Sequence, residues 1–413
     1  MRSNPCIWIL AILFAASGCK NIPGQAPIRV GILHSMDGTM AISEKPVLDA
    51  TLLAIEELNA QGGLLGRRIE PVIANGKSDG ATFAAEAERL ITQEKVSVIF
   101  GCWTSASRKA VRPVVERHDH LLIYPVQYEG LEQSPNIVYT GAAPNQQIIP
   151  AVKWCFDRGW KRFFLLASDY IFPRAANEII RDQVDALGGE IAGEEYLLLG
   201  AQDVSRAVEK IVQAKPDVIL NTLNGDTNIA FFRELERRGV TPETIPTLSF
   251  SIAEHELLSM DTKAMAGNYA AWNYFQSVPS AENKSFVNAF KKKYGKDRVT
   301  DDPIEAGYFG VLLWAQAVTE GGTEEVRAVR HAMKNQSFSA PEGIVYIDPG
   351  TQHTWKTVRI GVVTEDGQFR IVWTSEKPVR PEPYPPSRSR SEWDKFTEAL
   401  YQGWGNRWDN PGR

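Results

Sequence analysis

What the chain lacks narrows its function first. Four cysteines in 413 residues are too few for a disulfide-stapled scaffold. No Gly-x-x-x-x-Gly-Lys-Ser/Thr loop, Gly-x-Ser-x-Gly elbow, His-Glu-x-x-His pair or paired Cys-x-x-Cys occurs. P-loop nucleotide hydrolysis, serine-hydrolase chemistry and a zinc centre are therefore without support. Six scattered histidines add little, and His118 and His120 beside Asp119 read as a polar helix end. A basic excess is missing too: 45 Lys+Arg against 50 Asp+Glu leave a net charge of -5, so no nucleic-acid face is expected. The apolar run Ile7 to Ala16 falls short of the roughly 20 residues needed to span a membrane. What remains is ordinary globular composition, 43% hydrophobic and 23% charged, with length for about two or three domains.

The N-terminus reads as a targeting segment. Arg2 precedes the apolar run, and Ala16-Ser17-Gly18-Cys19 follows it. This resembles a bacterial lipobox, in which the cysteine is lipidated and opens the mature chain; Ala16 stands where leucine is commoner. Residues 1–18 then form a lipoprotein signal peptide and Cys19 carries the anchor. The alternative is an ordinary cleaved signal. Cys102 and Cys155 remain in the folded body, where buried free thiols are expected.

From Ile28 onward strands and helices alternate. Ile28 to Leu33, Arg68 to Ala74, Val96 to Phe100 and Leu121 to Tyr124 read as strands, with helices at 45–61, 81–93 and 105–118. Gly62-Gly63 stops the first helix. The rhythm restarts after Pro150: helices at 151–158, 177–187, 207–214 and 228–238, and strands at 162–167 and 217–221. Such alternation predicts parallel βαβ units in two doubly wound lobes. The last third is less regular. It holds helices at 285–294, 306–319 and 324–333, and strands at 344–347, 358–363 and 369–373. Five prolines between Lys377 and Arg390 then mark an extended tail.

In open α/β sheets ligands sit beyond the carboxyl ends of the strands. The loops there are rich in hydroxyl, amide and aromatic groups. After Phe100 comes Gly101 to Lys109, where Ser105 or Ser107 can cap the next helix or, with free backbone N–H groups, hold a polar ligand oxygen. Trp103 offers an apolar lid. After Ile123 comes Tyr124-Pro125-Val126-Gln127-Tyr128-Glu129-Gly130, in which packing gives little reason for Gln127. Ser168 to Arg174, around Tyr170, and Asn221 to Asp226 are the matching strand ends of the second lobe. Each also reads as an ordinary surface loop.

These segments, with Pro135-Asn136-Ile137 and Ser249-Phe250-Ser251-Ile252-Ala253-Glu254, resemble the type I periplasmic binding proteins of ABC transporters. Within that family the likeness is to urea-binding subunits, with the amide sensors of amidase operons as relatives. It covers about Ile28 to Tyr384. The resemblance implies an α/β fold of two Rossmann-like lobes joined by a hinge and closing on a ligand like a flytrap, with no catalytic residue, metal or cofactor. Residues 27–143 and 273–345 would form lobe I, 144–272 and 346–376 lobe II, and 377–413 a Pro-rich C-terminal tail. It implies ligand contacts from Ser105, Tyr124 and Tyr170, with Trp103, Gln127, Asn224, Asp226 and Ser251 completing the site. The amide sensors tend to have a threonine and a proline where this chain has Val126 and Gln127; this leans the reading towards urea, and the sensors' contacts there do not transfer.

The expected partners are urea or a similar small amide, ABC permease subunits and a lipid anchor. Alternatives are a short-chain amide binder, an amide sensor inside the cell, and an amide-processing enzyme. The signal argues against the second and the missing motifs against the third.

Overall fold

The computed structural model describes residues 26–412. The signal and Cys19 lie outside them. Strands β1 (Ile28–His34), β2 (Ile69–Asn75), β3 (Ile99–Gly101), β4 (Leu122–Tyr124) and β5 (Ile137–Tyr139) make one parallel sheet in the order β2-β1-β3-β4-β5. Helices α1 (Ala41–Ala60), α2 (Gly80–Thr92) and α3 (Ser105–Arg117) supply its crossovers. With helices on its faces, β1 buries Val30, Ile32 and Leu33 together, so it reads as a continuous apolar run.

The chain then builds α4 (Ile148–Asp157), β6 (Arg162–Ser168), α5 (Ile171–Leu187), β7 (Glu190–Leu197), α6 (Ser205–Ala214), β8 (Val218–Thr222), α7 (Thr227–Arg237) and β9 (Thr247–Ser249). Two single turns, α8 (Glu254–Leu257) and α9 (Thr262–Met265), lead to β10 (Tyr269–Trp272). Next come α10 (Ala281–Tyr294), α11 (Asp302–Gly321) and α12 (Val326–Ala332). Strands β11 (Ser337–Ala340), β12 (Gly343–Ile347) and β13 (Thr354–Trp355) form a small antiparallel sheet. Strands β14 (Arg359–Val363) and β15 (Phe369–Thr374) complete the larger sheet, ordered β15-β14-β10-β9-β8-β6-β7. β14 alone runs against the common direction of the other strands, so its pairings with β10 and β15 are antiparallel. Helix α11 packs along α1 and touches β3, so the chain returns to the first sheet between β10 and β14.

The winding positions the site. In the first sheet β1 lies between β2 and β3, and in the second β6 lies between β7 and β8. Each is a switch point where neighbouring loops diverge and leave a crevice. Gly101 is required at the first: a Cβ there would meet the Leu33 carbonyl oxygen at 2.1 Å. Cys102 follows with φ at 65°, a left-handed turn unusual for a side-chain-bearing residue, and its N–H donates to Leu33 O at 2.9 Å.

Helix α5 and the C-terminal tail are among the elements that differ from the sequence expectation. Helix α5 begins at Ile171, not 177, because Pro173 sits in its first turn, where the missing N–H has no helical partner to lose. The tail is not extended throughout. Helix α13 (Arg390–Gly403) interrupts it, opened by a Ser389–Glu392 capping box, and it packs on α5 with Trp393 fully buried.

Where β10 leaves the second sheet, acidic side chains collect out of water. Asp302 accepts from the N–H groups of Asn273 and Tyr274 at 2.9 and 2.8 Å, and Glu254 from Gln276 N–H at 2.7 Å. Burial pushes the Glu254 carboxyl up to about 8, with Glu256 and Asp302 adding to the rise against the Gln276 N–H. Asp301, Glu305 and Glu256 are raised chiefly by burial as well. The folded protein therefore holds protons that the unfolded chain releases above its ordinary carboxyl range. The stability this contributes is full below that range and, for Glu254, is lost as pH rises through about 8. Calorimetric melting between pH 5 and 8 should show Tm falling, and Glu254→Gln should flatten the slope.

Candidate functional site: the cleft between the two sheets

The carboxyl ends of the two sheets face each other and are tied directly. Thr39 Oγ, beyond β1, donates to Asp226 Oδ1, beyond β8, at 2.5 Å. Ser43 Oγ donates to Glu256 at 2.8 Å. Gln127 Nε2, beyond β4, donates to the Phe250 carbonyl, beyond β9, at 2.9 Å, and Gln147 Nε2 donates to the same oxygen at 3.2 Å. Tyr124 is the last residue of β4, and the other seven candidate residues follow the ends of β3, β4, β6, β8 and β9.

At the start of α3 the cap falls on neither Ser105 nor Ser107. Thr104 takes it, its Oγ accepting from Ser107 N–H at 3.0 Å. The N–H groups of Ser105 and Ala106 have no acceptor among the described residues, the usual state of a helix's first donors. They remain available to a ligand oxygen.

The Ser105 hydroxyl is engaged on its inner side. It donates to Glu129 Oε2 and accepts from Arg108 Nη1 at 3.0 Å. Arg108 is fully buried, 3.2 Å from Glu129 and 2.9 Å from Glu132, with its guanidinium over the rings of Tyr124 and Tyr128 at 4.8 and 4.3 Å. Burial would raise the Glu132 carboxyl, but Arg108, Lys109 and Arg112 hold it well below the usual carboxylate range. Both basic residues of the helix start are thus spent: Lys109 Nζ lies 3.2 Å from Glu132 and 4.7 Å above the Trp408 ring.

Tyr124 donates its hydroxyl to the Trp103 carbonyl at 2.6 Å. Gln127 Oε1 and Ser251 Oγ are buried without a hydrogen-bond partner among the described residues. Tyr170 is buried as well. Burial raises its pKa, with Tyr124 and Glu129 adding to the rise and Arg108 opposing it.

Trp103 is 4% exposed and shares an apolar cluster with Cys102, Tyr124 and Val126, so it is a wall more than a lid. Asn224 is turned to its own backbone, donating to Thr222 O at 3.2 Å, while its N–H donates to Ser168 Oγ. Sequence reasoning missed Thr39, Arg108, Glu129 and Glu132. The signal for the last three was a basic stretch at Arg108, Lys109 and Arg112 and two acids three residues apart.

Cys102 and Cys155 are buried free thiols. Among the described residues no group of acidic, histidine or cysteine side chains is arranged to hold a metal, and no helix is long and apolar enough to cross a membrane. A separate cavity of about 110 Å³, lined by Ile229, Phe232, Val240 and Met260 near α7 and α9, involves none of the candidate residues.

Two doubly wound sheets with polar strand ends tied across a cleft form a receptor architecture, and residues 28–390 match the family described as periplasmic binding protein domain. The chain belongs to that family. It is 22% identical over 362 residues to Leu/Ile/Val-binding protein homolog 6 of Brucella melitensis biotype 1, covering 85% of this chain and 92% of that one. Limonene hydroxylase of Geobacillus stearothermophilus is 35% identical over 124 residues, but the match spans 30% of this chain and 23% of that protein.

Among solved structures, a solute-binding protein of an ABC transporter from Rhodopseudomonas palustris BisB5, in complex with 3,4-dihydroxybenzoic acid, superposes with a TM-score of 0.79 at 26% identity. That match covers 86% of this chain and 99% of that one. A leucine-binding protein from Thermotoga maritima MSB8 shares the fold at 20% identity and a TM-score of 0.74, covering 84% of this chain and 98% of that one. The family is one of extracytoplasmic solute-binding proteins, and the Rhodopseudomonas palustris relative is such a receptor of an ABC transporter.

Proposed function

We infer that the cleft binds urea and delivers it to the permease of an ABC transporter. One observation carries this reading: several hydrogen-bonding groups at the strand ends are acceptors whose own protons are committed elsewhere. Ser105 gives its proton to Glu129, Tyr124 gives its own to Trp103 O, and one of the two Gln127 amide protons goes to Phe250 O. What they offer is lone pairs, including the unpartnered Gln127 Oε1. A ligand with one acceptor oxygen and four N–H bonds matches that supply, its oxygen meeting the free N–H groups of Ser105 and Ala106. Tyr170 and Ser251 close on it from the second lobe, while Thr39–Asp226 fastens the lobes beside it. Asn224 and Trp103 shape the walls.

The relatives make carboxylate ligands the competing class. A carboxylate would find Arg108 and Lys109 already paired and would sit beside the Glu129 charge, an arrangement that disfavours it. The hinge divides 27–143 with 273–355 from 144–272 with 356–376, and Cys19 anchors the receptor to a membrane. The last crossing falls after β13 and not at the expected 345, because β13 pairs with β12 and Tyr139 bonds Gln352 and Thr354. The second reading is a short amide, favoured by the same acceptors because a primary amide keeps two of the four N–H bonds.

Isothermal titration of residues 20–413 with urea, acetamide, leucine and 4-hydroxybenzoate tests both. Binding of urea ahead of acetamide, with no heat from the two carboxylates, is expected. Binding of leucine or 4-hydroxybenzoate alone would overturn the assignment and leave the receptor fold intact.

A further inference from the structure

We propose that Glu129 is a specificity-determining residue of the cleft: it fixes the Ser105 hydroxyl as an acceptor and so excludes carboxylates in favour of N–H-bearing neutral ligands. This deepens, and rests on, the reading of the cleft as an amide or urea site. A serine hydroxyl has one proton and two lone pairs. Here the proton goes to Glu129 Oε2, and one lone pair accepts Arg108 Nη1 at 3.0 Å. A single lone pair is left to meet a ligand.

The arrangement is locked on its inner side. Glu129 divides its two oxygens, Oε1 3.2 Å from Arg108 Nη2 and Oε2 against Ser105. Arg108 is held in turn by Glu132 at 2.9 Å and by the Tyr124 and Tyr128 rings. None of Ser105, Arg108, Glu129 and Glu132 is more than 2% exposed, so water does not compete for these bonds. The Ser105 proton cannot turn towards a ligand without leaving a buried carboxylate oxygen unpaired, which is costly.

Glu129→Gln inverts this polarity at constant shape. The guanidinium needs an acceptor, so the one amide oxygen faces Arg108 and the amide nitrogen takes the position of Oε2. That nitrogen donates to Ser105, both lone pairs become occupied, and the hydroxyl proton is released to the ligand side.

Acetamide and acetate, equal in size, read the change by calorimetry. In the wild type acetamide should bind, and acetate should bind measurably but far more weakly. In Glu129→Gln acetamide should weaken about tenfold or more, the range expected for opposed buried donors, and the acetamide-to-acetate preference should move towards acetate. In a Ser105→Ala background Glu129→Gln should change that preference little, because the hydroxyl it acts through is gone. Ser105→Ala by itself, which leaves every buried ion pair intact, should weaken acetamide without weakening acetate, and it decides the matter even if Glu129→Gln folds poorly.

Equal weakening of both ligands in Ser105→Ala would mean that the hydroxyl donates to ligand oxygen, and would overturn the proposal while leaving the amide reading in place. So would an unchanged preference in folded Glu129→Gln. A wild type that binds acetate and neither acetamide nor urea would overturn the proposal and the reading together.

Discussion

Replacing Arg108 with methionine is expected to destabilise the protein by about 3–5 kcal/mol, the cost of breaking a buried ion pair from one side. Methionine can fill much of the space under the Tyr124 and Tyr128 rings, but it pairs with nothing. Glu129, fully buried, would then keep the Ser105 hydroxyl but only Lys109 at 4.0 Å as a counter-charge, and Glu132 would keep Lys109 at 3.2 Å and Arg112 at 3.7 Å. Guanidinium unfolding should show a lower midpoint at similar slope. Adding Glu129→Gln should recover part of the loss, because the uncompensated charge and not the lost packing is the main defect. Retention of wild-type stability in Arg108→Met would show that this network is not what fixes the floor of the cleft.

Trp393→Ala is the second large expected effect, at about 3–5 kcal/mol for truncating a fully buried tryptophan. The indole donates to Pro385 O at 3.0 Å, and Arg388 covers its face at 4.6 Å while pairing with Glu178 and Asp182 of α5 at 2.7 and 2.6 Å. Removing the ring loosens α13 from α5 and, with it, the segment beyond. That segment matters to the cleft: Trp408 O accepts from Ile171 N–H at 3.0 Å, and Asn410 bonds Asp169, the neighbour of Tyr170. Hydrogen exchange in Trp393→Ala should therefore rise first in residues 385–410 and then around Tyr170, and ligand affinity should fall. Exchange confined to α13 would separate the tail from the cleft.

Much of the fold was legible because long apolar strands and helices with a buried stripe announce themselves. Ile28 to Leu33 and Arg162 to Ala167 read correctly as strands for that reason. The short central strands did not: β9 has three residues, and β10 carries two alanines, Ala270 and Ala271, with little β preference of their own. They are strands because neighbours already in the sheet pair with them. Strand β7 sits at the sheet edge with two adjacent glutamates, Glu194 and Glu195, which hid its pairing with β6. Helix α13 was announced by Ser389 and Glu392, a capping-box spacing masked by the prolines before it.

The strand-end loops could be located because their position follows from the α/β rule. Which groups their side chains engage could not be read: Ser105 and Glu129 are 24 residues apart, and Thr39 and Asp226 187 apart. Only the fold brings them together, and only their geometry says which atoms are left to act as acceptors.

A crystal structure of the protein with urea tests the central claim most directly. The account predicts one planar ligand between the sheets, its oxygen on the N–H groups of Ser105 and Ala106 and its nitrogens within hydrogen-bond distance of Ser105 Oγ and Gln127 Oε1. A ligand held elsewhere, or one whose oxygen accepts from the Ser105 hydroxyl, would contradict it.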